Sequence, residues 1–360
     1  MSMGERDGSS VTDDAVVAMV EQLQPDWTVE VIEVDEQGSD FIAHLTFSGS
    51  GAPDGAVLKA TTAEWMQSTY ARAEPRMLSL VAAETDIPVP TVYGYCDRHE
   101  RLPAPFFLMS EVSGRDFNGQ GQVMDPKVRE AVIEDAGRYL ASLHEIDTLS
   151  MIGRIGVEDG TLQVVHTEEH PSGQSFHPWL LDSYEETLDS LTSGGYFPDL
   201  ADDPQRFADI IPDIRRYLRE AIPDLPAPRS PVYCHQDYRY GNLLIDPVSG
   251  QTNAVIDWGL IMAAPPAFNL ANAESLLLSP DTDPTARTAA LRRRFRQAYA
   301  ETREGWSFDA QTRDRMEVYR LCCRLDAMAC LPLWYQDATP EQRDVRAEEH
   351  RQFIRQYVDI

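Results

Sequence analysis

The chain has 360 residues, 42% of them hydrophobic, which is enough to bury a two-lobed core and excludes a disordered protein. Its 59 acidic residues outnumber 31 basic ones for a formal net charge of -28, which repels phosphate backbones and anionic lipid and excludes nucleic acid and membrane surfaces as partners. The five cysteines form no C-x-x-C pair, and no apolar run of about 18 residues or leader pattern is visible, so the expectation is reduced thiols in a cytoplasmic protein. Acidic excess with only two lysines, Lys59 and Lys127, further points to a halophilic protein working where salt screens self-repulsion.

In chain order, Thr12 caps an amphipathic helix carrying Val16, Met19, Val20 and Leu23 at helical spacing. Strands are expected over Thr28 to Asp35 and Phe41 to Phe47, with Gly38-Ser39 in the turn between them. A third strand, Gly55 to Ala60, carries Lys59, and a helix follows over Glu64 to Ala83, interrupted or restarted at Pro75. Ile87-Pro88-Val89-Pro90 is extended, and a strand pair ends in Phe106 to Met109. The polar break Ser110 to Gly114 divides a β-rich lobe, 1–112, from a larger α-rich lobe, 113–360. In the latter, Asp125-Pro126 opens a helix through Leu143, a long polar stretch contains Trp179 and Tyr184, and Thr339 to Gln342 has the form of a capping box. This order of elements is α+β, without repeats.

Two places carry chemistry. Lys59 ends the apolar run Ala56-Val57-Leu58, and a chain almost devoid of lysine that keeps one on a strand has use for a compact ammonium, such as meeting phosphate oxygens in a tight cleft. The second is Cys234-His235-Gln236-Asp237-Tyr238-Arg239-Tyr240-Gly241-Asn242, followed by the apolar hairpin Leu243 to Ile256 and by Asp257-Trp258. It offers one carboxylate as proton acceptor, and an amide and a second carboxylate as the hard oxygen donors that Mg²⁺ favours. A transition-metal site on Cys234, His235 and Asp237 is the competing reading, and its spacing matches no common zinc pattern.

His235-x-Asp237-x-x-x-x-Asn242 followed by Ile256-Asp257-Trp258 resembles the signature of aminoglycoside phosphotransferase-like small-molecule kinases. Val57-Leu58-Lys59, Glu74 in Arg72-Ala73-Glu74-Pro75, Pro88-Val89-Pro90, Phe107 to Glu111 and Leu140 to His144 are similar to further segments of that family. Asp237-Tyr238-Arg239 resembles the branch related to kinase domains fused to acyl-CoA dehydrogenases. The resemblance implies a two-lobed protein-kinase-like fold and transfer of the γ-phosphoryl group of ATP, with Mg²⁺, to a hydroxyl of a small molecule. By the same resemblance, Asp237 would be the catalytic base, with His235 fixing the loop and Arg239 near the γ-phosphate. Asn242 and Asp257 would hold Mg²⁺, Lys59 would contact the α and β phosphates, steadied by Glu74, Gly38 and Ser39 would approach them, and backbone groups of Ser110 and Val112 would meet adenine.

Three departures stand out. Gly259 occupies a place usually acidic, Ala264-Pro265-Pro266 stands for Gly-Asp-Pro, and Asn269-Leu270-Ala271 for Asp-Leu-Ala. Asn269 is expected to brace the catalytic loop by accepting from backbone N–H groups, more weakly than an aspartate. These departures keep open a catalytically silent nucleotide-binding module. A protein kinase is disfavoured because no activation segment follows Asp257-Trp258.

Overall fold

In a computed structural model, residues 11–35, 40–62, 66–121, 123–278 and 286–358 are described. The chain folds into two lobes, a small antiparallel sheet and a larger, mainly helical body. Helix α1 (Asp13–Leu23) starts at Thr12, whose side chain accepts from the Ala15 N–H, as its sequence requires. Strands β1 (Thr28–Val34), β2 (Phe41–Ser48), β3 (Gly55–Ala60), β4 (Val92–Cys96) and β5 (Phe106–Ser110) form one sheet in the order β1-β2-β3-β5-β4.

Strand alternation decides what β3 presents on each face. Ala56, Leu58 and Ala60 pack with Val16, Met19 and Val20 of α1, so Val57 and Lys59 face the other way. The helix expected from Glu64 to Ala83 is instead two pieces, α2 (Ser68–Ala71) and α3 (Ala73–Glu84), broken at Arg72. Pro75 is the third residue of α3. Its ring would clash with the Ala71 carbonyl of a continuous helix, so the break falls a turn earlier and the missing N–H lies in a first turn where none is needed. Met77, Leu78 and Val81 of α3 join the core of the larger lobe, so this helix couples the lobes.

The larger lobe contains α4 (Pro126–Leu143), α5 (Phe176–Ser190), α6 (Ile211–Asp224), α7 (Pro266–Leu278), α8 (Ala286–Thr302), α9 (Ala310–Ala329), α10 (Leu331–Trp334) and α11 (Pro340–Ile354). Asp125 caps α4, and Thr339 and Gln342 complete the capping box of α11 in both directions. Short strands interrupt the helices: β6 (Gly153–Glu158), β7 (Thr161–Val164), β8 (Val232–His235), β9 (Leu243–Ile245), β10 (Thr252–Val255) and β11 (Ile261–Ala264). Strands β6 and β7 occupy the stretch read only as polar. Gly153 and Gly156 hide the alternation there, although the Asp159-Gly160 turn, with φ of 50° and 79°, is a hairpin signal in its own right. Strand β11 pairs with β8, Ile261 opposite His235 and Ala264 opposite Val232, which fixes the strand from which the Asp237 loop emerges.

Candidate active site

Lys59 reaches from β3 into the cleft, only 6% exposed, and its Nζ meets three carboxylates. Glu74 Oε2 is at 2.8 Å, Asp257 Oδ1 at 3.1 Å and Asp40 Oδ2 at 3.4 Å. Burial works against the ammonium, but Asp257, Glu74 and Asp40 outweigh it and hold the Lys59 pKa well above the ordinary lysine value. Burial pushes the Glu74 carboxyl up against the pull of Lys59, and burial likewise raises Asp40. Asp257 is held below the usual carboxylate range, chiefly by Lys59.

Glu74 is fixed at both ends of its carboxylate, because Oε1 accepts from the Trp258 N–H at 3.2 Å. Asp257 stands at φ +60°, a left-handed conformation that strains a residue with a side chain. The strain is held by its neighbours: the Ile256 N–H donates to the Asn242 carbonyl, and buried Trp258 donates from its indole to the Val255 carbonyl. The Asp257 side chain is 40% exposed, so it opens to the cleft.

The loop after β8 brings Asp237, Arg239 and Asn242 together. Asn242 Nδ2 donates to the Asp237 carbonyl and to its Oδ2, both at 2.8 Å. Arg239 Nε lies 3.0 and 2.9 Å from the two Asp237 oxygens, and its Nη1 donates to Asn118 Oδ1 at 2.9 Å. Gly241 permits this, since a Cβ there would lie 2.3 Å from Arg239 Nη1. His235 accepts the Asp237 N–H on Nδ1 at 3.2 Å, so its ring proton is on Nε2, which donates to the Ile256 carbonyl at 3.2 Å. Burial lowers the His235 pKa, which keeps the ring neutral. With both ring nitrogens engaged, His235 is a staple between the Asp237 loop and the Asp257 segment and has no nitrogen free to carry a transferred proton.

The brace on this loop differs from the expectation in its polarity. Asn269 does not accept from loop N–H groups; its Nδ2 donates to the His235 carbonyl at 2.7 Å, while its Oδ1 accepts from His144 Nε2 at 2.9 Å. One turn on, Asn272 Nδ2 donates to the Gln236 carbonyl. His144 Nδ1 in turn meets the Tyr299 hydroxyl at 2.7 Å, and Arg303 donates to that hydroxyl. Burial takes the His144 pKa down to about 3, so this chain of contacts is made by neutral groups up to Arg303.

An ammonium ringed by acids, a strained carboxylate open to the cleft and an aspartate–asparagine loop are what phosphoryl transfer needs. Residues 49–308 match the phosphotransferase enzyme family. The chain belongs to this family. Among curated proteins the phosphotransferase is 22% identical over 192 residues to mouse (Mus musculus) acyl-CoA dehydrogenase family member 10, a match covering 52% of this chain and 15% of that protein. It is 25% identical over 223 residues to the probable acyl-CoA dehydrogenase IBR3 of Arabidopsis thaliana, covering 59% of this chain and 24% of the relative. The chain thus matches a quarter or less of these relatives' own lengths. Among solved structures, the GDP and kanamycin complex of APH(2")-IIia superposes with a TM-score of 0.57 at 13% identity, covering 94% of this chain and 97% of that one.

The remaining expected residues fall out unevenly. Gly38 and Ser39 lie outside the described residues. Ser110 ends β5 with its N–H donated to the Thr91 carbonyl at 2.8 Å, so that N–H is not free for a base edge; Val112 lies in the half-buried loop beyond it. Trp179 packs on Phe176, Tyr184 is buried, and Trp334 is half exposed. Among the described residues no cluster of three histidine, cysteine or acidic side chains could hold a metal, and Cys234 donates to the Ala264 carbonyl, which removes the transition-metal reading. All five cysteines are free, and no helix among the described residues is long and apolar enough to cross a membrane. The sequence reading missed Asp40, Asn118 and Asn272. Asp40 had one available signal, being an acid one residue from a strand paired with that of Lys59; the other two had none.

Proposed function

We propose that the protein transfers the γ-phosphoryl group of ATP to a hydroxyl of a small molecule, with Mg²⁺. The observation that carries this reading is the meeting of Lys59, Glu74 and Asp257 in one cluster beside the Asp237–Asn242 loop, although Lys59 and Asp257 are 198 residues apart. Lys59 supplies a fixed positive charge for the α and β phosphates, and the buried Glu74 fixes its direction. The carboxylate of Asp257, whose side chain is 40% exposed to the cleft, and the amide oxygen of Asn242 are two hard donors, which suits a cation such as Mg²⁺ that takes few protein ligands and fills its other positions with phosphate and water. Asp257 and Asn242 would hold that ion, which would supply positive charge to neutralise the phosphates. Asp237 takes the acceptor's proton, and Asn242, by holding the carboxylate through Nδ2, orients it toward the acceptor hydroxyl.

The match to the phosphotransferase family over residues 49–308 and the likeness to a fold solved with GDP and kanamycin support a nucleotide donor and a small-molecule acceptor for this chain. The test is an ATP-consumption screen in molar KCl against amino alcohols, aminoglycosides, sugars and hydroxyacyl thioesters, run for the parent and Asp257→Asn. An acceptor-dependent rate that requires Mg²⁺ and is lost in Asp257→Asn is expected; nucleotide binding without any acceptor-dependent turnover would refute it. That second outcome belongs to a silent nucleotide-binding module, which one observation favours: Arg239 occupies both oxygens of the candidate base.

A further inference from the structure

An ammonium has three N–H donors, and around Lys59 there are three carboxylates to take them. No donor remains for a phosphate oxygen, so a nucleotide that uses Lys59 must first displace one of the three acids. Glu74 cannot leave easily, because it is 5% exposed and its second oxygen is held by the Trp258 N–H. Asp257 has a second role open to it in the cleft, as a cation ligand. Asp40 is different. Its side chain is 16% exposed, and its Oδ1 is buried without a hydrogen-bond partner among the described residues. Among the described residues, its support beyond Lys59 is a backbone bond from Thr62. It directly precedes Phe41, which pairs with Ala60, so the backbone of β2 delivers its carboxylate to the open end of β3.

Gly259 adds to this. A Cβ at 259 would lie 3.7 Å from Glu74 Oε2 and 3.8 Å from Asp257 Oδ1, in ordinary contact, so glycine there is not demanded by space. An acid at 259 would add a fourth carboxylate to a cluster whose ammonium has only three N–H donors, all already matched by Asp40, Glu74 and Asp257.

We propose that Asp40 is a selectivity residue of the nucleotide site: it sits on Lys59 as a built-in surrogate for a phosphate oxygen, must be displaced by the nucleotide, and disfavours phosphates that arrive without their divalent cation. This rests on the nucleotide reading of the Lys59 cluster. Free nucleotide brings its negative charge against both Asp40 and Asp257, whereas the cation complex brings compensation with it. Asp40 thereby raises the discrimination between chelated and free nucleoside phosphates, at the expense of affinity for both.

The experiment is calorimetric titration of ADP, with and without MgCl₂, into the parent and Asp40→Asn, with thermal melting of each protein as the check on folding. Asp40→Ser carries the test if the asparagine variant does not fold. Asp40→Asn should tighten ADP binding by about 5- to 50-fold, and more for free ADP than for its Mg²⁺ complex, so that the parent's preference for the chelate shrinks. Unchanged or weaker binding in a folded Asp40 variant overturns the proposal, weaker binding showing that Asp40 helps to hold the nucleotide. If the parent binds ADP and the variant binds no better, only the role of Asp40 falls. If neither binds under any condition, the nucleotide reading of the cluster falls, and this inference with it.

Discussion

The Lys59 cluster and the Asp237 loop lie side by side and are built on opposite principles. Around Lys59, full charges meet at 2.8 to 3.4 Å with more negative than positive groups, and burial pushes the Glu74 and Asp40 carboxyls up. Around Asp237 a single ion pair, Arg239 with the Asp237 carboxylate, is balanced one to one, and the rest of the support is neutral groups matched donor to acceptor: Asn242 on the carboxylate, His235 between two backbone groups, and Asn269 and Asn272 on two carbonyls. An unbalanced set of charges exchanges partners readily, because a ligand that restores balance is favoured. A network whose charges balance and whose donors meet acceptors gains little from rearrangement. One half of the site is therefore poised to exchange partners, and the other is held fixed.

The largest effect should come from removing the base in the fixed half. Asp237→Asn keeps shape and most hydrogen bonds, so nucleotide should still bind while phosphoryl transfer falls by roughly 10²- to 10⁴-fold. Single-turnover transfer to an acceptor found in the screen measures it, and transfer at the parental rate would end the case for a catalytic loop. Lys59→Met breaks the other half. It should weaken nucleotide binding and, unlike loss of a surface lysine, leaves three carboxylates clustered without their cation, so unfolding free energy should drop by about 3–5 kcal/mol. Adding Glu74→Gln to that variant should recover part of the stability, and denaturant titration checks both.

Asn269→Asp tests the polarity of the brace. An ionised carboxylate would confront the His235 carbonyl now held at 2.7 Å, so the variant should lose about 1–3 kcal/mol and turn over more slowly, recovering as pH falls and the new acid is protonated. A variant as stable and as fast as the parent at neutral pH would show that the loop does not depend on a donor at 269.

Asp326 sharpens the comparison, being a buried acid held by hydroxyls and no ion pair among the described residues. Burial lifts its pKa to about 6, while Tyr184 and Tyr196 donate to its oxygens. A carboxyl raised on folding stabilises fully below its ordinary value near 4 and loses that contribution as pH rises through about 6. The stability advantage of the parent over Asp326→Asn should therefore shrink by at most about 2 kcal/mol between pH 4 and 6, read from paired thermal midpoints. The smallest effect per charge is expected at the surface. There the excess of acids predicts midpoints that climb from dilute buffer to molar KCl, and a flat or falling series would remove the high-salt reading.

Much of the site was legible without coordinates because its parts are local. Residues 235–242 are one loop, Asp257 follows a two-stranded hairpin, and the alternation of Ala56, Leu58 and Ala60 is enough to place Lys59 on the opposite face of its strand. The order of strands and helices and both capped helices at Thr12 and Thr339 were set in the same way, by propensities and caps acting over a few residues. Strands β6, β7 and β11 were not legible, because strands of four to six residues, one of them broken by two glycines, carry too little pattern and exist through their partners. The pairing of Lys59 with Glu74 was expected from the resemblance, but tertiary structure alone decided that Asp40 and Asp257 join it, which way Asn269 points its amide, and that both ring nitrogens of His235 are taken. Those contacts join residues from separate elements, where hydrogen-bond polarity and charge balance depend on what folding brings to the other side.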